Sequence, residues 1–400
     1  MRALGAVMAL LTIVPGVSRA QVATPRASAP AAEQREVAVT PAELQAAIDR
    51  LAAIDYAVRV TAARTIRRAP PAMAVPALTA AVAGHKDGYV RFRSLILLSG
   101  FNDPRTGDVF AGLLANSNDR LRAAAYAYFE HNPDPAILPR LVAALPREES
   151  EFVRPALTRA LAASAADPRV RDLLPDLVMK GQDFFRSGVI EAMGDYKVAA
   201  VLPVLTTVAG LEGPLQDDAV LAVGKIGDKR SLELLAGLQR TAPTGVQPSI
   251  AAAICLLGVN CSSHQGYLAE ALRFSVATAG YQELLRASAA GLSALATAGD
   301  QASAALLIEV GAPSRDPARA AIALALGAVT LRNPPAMLKT LEALEDPKPG
   351  IVLVGEAFDM LEEDLDEERF FAIVRRGYWA APAGSATRRI ATTLIQTLEF

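Results

Sequence analysis

The feature that most constrains this chain is a period. An arginine or glutamine following an apolar residue recurs at Arg59, Arg91, Arg122, Arg154, Arg186, Gln216 and Gln247, with successive separations of 32, 31, 32, 32, 30 and 31 residues. A unit this short cannot bury an apolar face alone, so units must stack on one continuous core. The clearest copy is residues 183–209. Val189, Ala192 and Met193 share one face at helical spacing, Gly194-Asp195 ends that helix, and Leu202-Pro203-Val204-Leu205 lies in the first turns of a second. The turn between the helices recurs as Asp103-Pro104, Asp134-Pro135, Asp167-Pro168, Asp195-Tyr196 and Asp228-Lys229. Aspartate there caps the second helix and proline suits its first turn. The 400 residues would otherwise point to two or three globular domains. The repeat instead predicts an all-α solenoid of about ten helical hairpins.

Other motifs place the repeat in a family. An apolar-Pro-x-Leu signature recurs as Val75-Pro76-Ala77-Leu78, Leu138-Pro139-Arg140-Leu141 and Leu174-Pro175-Asp176-Leu177. Together with Asp87-Gly88-Tyr89-Val90-Arg91 and Val220-Leu221-Ala222-Val223-Gly224-Lys225-Ile226-Gly227-Asp228, it resembles HEAT repeats, of the short alanine-rich type also found in bilin lyases. The resemblance implies a right-handed α-solenoid whose first helices line the concave side. It also implies that Arg59, Arg91, Arg122, Arg154 and Arg186 pair with aspartates of neighbouring repeats and tie the stack together. Gln216 and Gln247 would weaken such a ladder. Residues 40–258 are regular and residues 259–400 degenerate. Beyond Gln247 the next comparable arginine is Arg286, 39 residues on, which places an insertion around residues 260–266. Openers continue at Leu285-Arg286 and Ala318-Arg319, Asp346-Pro347 starts another unit, and Thr387-Arg388-Arg389 a final helix. Helices roughly 8–10 Å apart predict a curved rod on the order of 100 Å long.

The N-terminal residues read as export machinery. Arg2 precedes a short apolar stretch broken by Pro15-Gly16, and Ser18-Arg19-Ala20 offers cleavage before Gln21, so residues 1–20 read as a signal peptide. About 12 apolar residues are too few to span a bilayer, which needs roughly 20. No integral membrane segment is expected after cleavage. Residues 21–39 read as a disordered Ala/Pro-rich linker, and Thr40-Pro41-Ala42-Glu43 as a strong helix start.

Charge and motifs exclude several functions. Net charge is −2 with no polybasic run, which argues against nucleic acid. His85, His131 and His264 are scattered, and neither HExxH nor GxSxG occurs. The paired His-Glu motifs that hold iron in deoxyhypusine hydroxylase, a HEAT-like enzyme, are also missing. No catalytic residues, cofactor or metal site are expected. Cys255 and Cys261, the two cysteines, are expected to form one disulfide in an oxidising compartment. The run Glu362-Glu363-Asp364-Leu365-Asp366-Glu367-Glu368 reads as the close of one helix and the charged start of the next. Trp379 reads as a terminal cap on the core.

One apolar track remains. Positions five and six after each opener include Leu95, Ile96, Tyr126, Ile190 and Val220, with Phe92 nearby. The track reads either as a binding groove on the concave face or as packing between helices. With no catalytic constellation, the chain is expected to be an exported, periplasmic or secreted, non-enzymatic scaffold that binds a protein or peptide along that surface. The alternatives are an enzyme accessory subunit of lyase type acting on a periplasmic substrate, or a purely structural envelope component.

Overall fold

The structure, a computed structural model, describes residues 39–361 and 363–400. The expected leader and nearly all of the linker lie outside them. The folded part opens as its sequence requires. Thr40 Oγ1 accepts a hydrogen bond from the Glu43 backbone N–H, and the Glu43 carboxylate accepts from the Thr40 N–H at 2.8 Å, which starts helix Pro41–Asp49.

Ten hairpins follow. Their first helices are Tyr56–Arg68, Gly88–Ser99, Asp119–His131, Arg154–Ala163, Asp183–Asp195, Gln216–Ile226, Gln247–Leu256, Gln282–Thr297, Ala318–Arg332 and Lys348–Leu361. Asp55, Asp87 and Asn118 cap the first three through their side-chain oxygens. In the turns, Asp134, Asp167 and Asp228 accept backbone N–H bonds from the residue two further on. Pro139, Pro175 and Pro203 each fall in the first turn of a second helix. Pro76 alone of the signature prolines lies inside its helix, Pro71–Gly84. Among the described residues there is no strand, and no single helix is long and apolar enough to cross a membrane.

Successive first helices pack close because the residues facing each other are small. A Cβ on Gly224 would lie 2.5 Å from the Ala253 Cα, so only glycine admits this approach. Leu95, Ile96, Tyr126, Ile190 and Val220 are buried in this layer, and the Tyr126 hydroxyl donates to the Leu114 carbonyl at 3.2 Å. The apolar track is therefore interior packing, not an exposed groove.

The arginine column has a different job from the one the resemblance implied. Arg59, Arg91 and Arg154 make no ion pair among the described residues. Instead, column side chains fold back onto carbonyls at the end of the preceding element. Arg59 donates to the Ala53 carbonyl at 2.8 Å, Arg91 to Val82 at 2.9 Å, Arg122 to Asn116 at 2.7 Å and Arg186 to Val178 at 2.9 Å. Gln216 and Gln247 do the same to Ala209 at 3.0 Å and Ala242 at 2.9 Å. A helix end leaves carbonyls without partners, and one N–H donor satisfies them whether or not it carries charge. Glutamine thus continues the column. Arg122 adds pairs to Glu148 and Asp119, Arg186 pairs with Asp183 of its own helix, and Arg154 stacks on the Phe185 ring.

The insertion is helical. Cys261 begins the 17-residue helix Cys261–Ala277, where the second helices of the two preceding repeats, Leu202–Ala209 and Leu232–Thr241, have 8 and 10 residues. The connection is short, with Gly258 and Asn260 at positive φ, and Cys255 is joined to Cys261 across it as a disulfide with Cα atoms 4.3 Å apart.

The stack does not extend as an open rod. After the tenth first helix, Asp364–Ala380 packs against Gly88–Ser99, Asp119–His131 and Ala318–Arg332. We call it the closing helix. The last helix, Ala386–Thr397, leads to Glu399, whose carbonyl accepts from Arg64 Nε at 3.0 Å. The two ends of the stack meet. Trp379 is exposed, and Phe400, stacked on Phe371 with centroids 4.1 Å apart, is the terminal aromatic of the core.

Candidate functional site

The closing helix is placed by charge. Its acidic start projects from a helix N-terminus, where carboxylates are favoured, and Glu363, Asp364, Asp366 and Glu368 each meet a cation far away in sequence. Asp364 pairs with Arg93 and Asp366 with His131. Glu368 receives Arg67 at 2.6 Å and Arg375 at 3.1 Å, and its side chain is 1% exposed. Gly100 makes room for it, since a Cβ there would be 2.4 Å from Glu368 Oε1. Arg332 Nη1 reaches Glu363 at 3.1 Å and Asp366 at 3.3 Å. His131, which looks isolated in sequence, is thus a partner of the acidic run.

Behind this layer the ends of several first helices share a second cluster. Arg159 Nε donates to Glu130 at 2.8 Å and its Nη2 to Asp195 at 3.1 Å. Tyr196 donates to Glu130 at 2.6 Å, and Lys225 to Asp195 at 2.7 Å. Asp195 recurs at the turn position but leaves the capping role for this cluster. Burial opposes ionisation of Asp366, yet the charge and hydrogen bond of His131, with Arg332 and Arg369, hold it below the usual carboxylate range. Glu363 is pushed up to about 7, chiefly by burial, against the pull of Arg332. Within this cluster Glu130 and Asp195 are each held by cations. The cluster is arranged for position. Among the described residues no group of three or more His, Cys, Asp or Glu side chains is placed to hold a metal ion.

In front of the closing helix lies a cavity of about 880 Å³, between the first repeats and the C-terminal helices. Its size is that of a ligand site. Seven aromatic residues line it: Tyr56, Tyr89, Phe92 and Phe152 from the N-terminal repeats, and Phe358, Phe371 and Phe400 from the C-terminal end. Three stand at its mouth, with Tyr56 64%, Tyr89 38% and Phe152 65% exposed. Arg59 lies over the Tyr56 ring at 5.5 Å, and Arg120 over Tyr89 and Phe92 at 5.9 and 5.8 Å. Of the six residues expected in the groove, only Phe92 reaches this cavity; the other five belong to the core. The signal that could have found the rest is positional. Tyr89, Phe152 and Phe184 each sit two residues before the arginine column, at the exposed start of a first helix, and Phe184 is 84% exposed.

The sequence profile of HEAT repeats matches residues 44–130. No curated protein matches the chain. Solved structures of similar fold include YibA of E. coli, 19% identical over 54% of this chain and 81% of that one, with a TM-score of 0.41. The CpcE–CpcF complex of phycocyanin lyase from Nostoc sp. PCC7120 is 19% identical over 65% of this chain and 97% of that one, at 0.40. Importin beta is 14% identical over 90% of this chain and 52% of its own, at 0.43.

Proposed function

We propose that this HEAT-repeat α-solenoid is a non-enzymatic scaffold that seats a segment of a protein partner in the aromatic cavity between its two ends. The observation that carries the reading is the convergence of seven aromatic side chains on one cavity, three of them exposed at its mouth. Water-exposed aromatics beside a concavity are costly unless covered, and aromatic anchors dominate protein–protein hot spots. The residues of the expected concave track are buried and the closing helix packs on first helices from both ends of the stack, so the reading moves the partner from that track to the cavity mouth. We further propose that the protein works outside the cytoplasm. The leader pattern of residues 1–20 and the pairing of the two cysteines support this.

The test is a photo-crosslinking amino acid at position 152 in protein expressed from the full-length sequence, with the crosslinked partner identified and then purified. Phe152→Ala and Tyr56→Ala should each weaken its binding by roughly 1–2 kcal/mol with no change in melting temperature. Undiminished binding in both variants would remove the cavity from the interface. N-terminal sequencing of the native protein should begin at Gln21; a retained Met1 would contradict export.

A further inference from the structure

The two walls of the cavity differ in charge. On the N-terminal wall, Arg59 donates to the Ala53 and Ile54 carbonyls, and Arg120 lies over Tyr89 and Phe92. On the opposite wall, Asp364 is matched by Arg93, and Glu368, which does not line the cavity, by Arg67. Two further carboxylates line the cavity there, Asp359 on Lys348–Leu361 and Glu367 on the closing helix, beside Phe358 and Phe371. Neither has a hydrogen-bond or ion-pair partner among the described residues. The charged groups acting on Glu367 are Asp364 and Glu363 from its own helix, Asp359 from the preceding one and Arg93 from Gly88–Ser99. Arg93, the single cation among them, is already engaged by Asp364. This wall therefore presents unmatched acid beside the buried Phe358 and Phe371, the latter already covered by Arg67 and Phe400, inside a cavity large enough for side chains.

We infer that this wall receives a basic side chain of the partner segment, a lysine or arginine flanked by apolar residues, with its charge between Asp359 and Glu367. The inference rests on the reading of the cavity as the seat of a protein segment. A guanidinium or ammonium supplies the donors that both carboxylates lack. It also changes the protonation of the site. Burial and then the neighbouring Asp364 push Glu367 up to about 8. An arriving cation favours the carboxylate, so binding near neutral pH releases a proton from Glu367.

The test uses the full chain and capped pentapeptides with a fixed central arginine, lysine, citrulline or glutamate and varied Leu, Phe, Ala or Ser flanks. The best binder is then titrated calorimetrically from pH 6 to pH 8.5 in buffers of different ionisation enthalpy. The arginine peptide should bind about tenfold or more tighter than its citrulline counterpart, which has the same shape without the charge. That advantage should grow with pH and be accompanied by proton release. Glu367→Gln should abolish both the pH dependence and most of the advantage, whereas Phe152→Ala should weaken the arginine and citrulline peptides alike. Equal binding of the two peptides would overturn the basic-residue assignment and leave the cavity a peptide seat. Agmatine, a free guanidinium amine, binding as tightly as the best peptide would overturn the protein-segment reading instead. No binding by any peptide or by agmatine would overturn both.

Discussion

The middle of the stack and its closure are held by opposite means. Between Asp183–Asp195 and Gln247–Leu256, neighbouring first helices touch through glycine and alanine, and the interior is filled by Ile190, Val220 and their neighbours. At the closure, Asp364–Ala380 is held by carboxylates reaching Arg67, Arg93, His131 and Arg332, in part across more than two hundred residues of sequence. The middle is assembled from contacts one repeat apart, so its stability is nearly additive along the chain. The closure joins distant repeats, and matched buried charges specify one geometry while contributing little net stability. The contrast explains why an apolar surface predicted for binding is core, and why the candidate site lies at the closure, where apolar and charged walls meet.

The largest expected effect tests the first half of that contrast. Tyr126→Ala should cost roughly 3–5 kcal/mol by opening a cavity, read as a lower midpoint in urea denaturation. A cost near zero would mean that the track is exposed after all. Next in size, Glu368→Gln should cost about 2–3 kcal/mol because it leaves the buried Arg67 and Arg375 with a weaker partner. It should also increase hydrogen exchange in the closing helix while leaving Gln216–Ile226 protected, and uniform loss of protection would erase the distinction between the two regions.

A pH experiment sharpens the comparison. Glu367 lies at about 8 in the folded chain against an ordinary 4.5, so the native state holds a proton that the unfolded state has lost. Its contribution to stability therefore falls as pH rises from about 4.5 to about 8. Asp366, held below 3.8, works the other way: its contribution is present above that value and is lost on acidification. Glu367→Gln should raise the melting temperature at pH 8.5 by roughly 2–4 °C and leave it unchanged near pH 4. The smallest effect concerns the arginine column. Arg91→Gln should cost under about 0.5 kcal/mol, because glutamine can reach the same carbonyl, whereas Arg91→Leu should cost about 1 kcal/mol by leaving it unsatisfied. Equal losses would show that charge, not donation to Val82, is what the column supplies.

What the sequence made legible follows the same division. The hairpins, their aspartate caps and the Thr40 start are local, written within one repeat, and the structure has them. The pairing of Cys255 with Cys261 was legible for the same reason, since only six residues separate them. His131 with Asp366 was not, because nothing near either residue announces the other. The insertion after Gly258 was visible as a lengthened period, but the period alone does not say whether added residues extend a loop or a helix. The column positions were right and their partners were not, since carbonyls at a helix end leave no trace in sequence. Tyr89, Phe152 and Phe184 were in plain view at one repeat position, yet only the structure shows that Tyr89 and Phe152 face a cavity completed by Phe358, Phe371 and Phe400.

The central claim is that the two ends of the stack meet. Arg64 and Glu399, partly exposed and 3.3 Å apart as an ion pair, are suited to spin labels introduced as Arg64→Cys and Glu399→Cys in a chain whose native cysteines are joined. Pulsed electron–electron resonance on that protein should give a single narrow distribution at short distance. A distribution that is broad, or that lies beyond range as an open stack on the order of 100 Å would require, would contradict the closure and the site built on it.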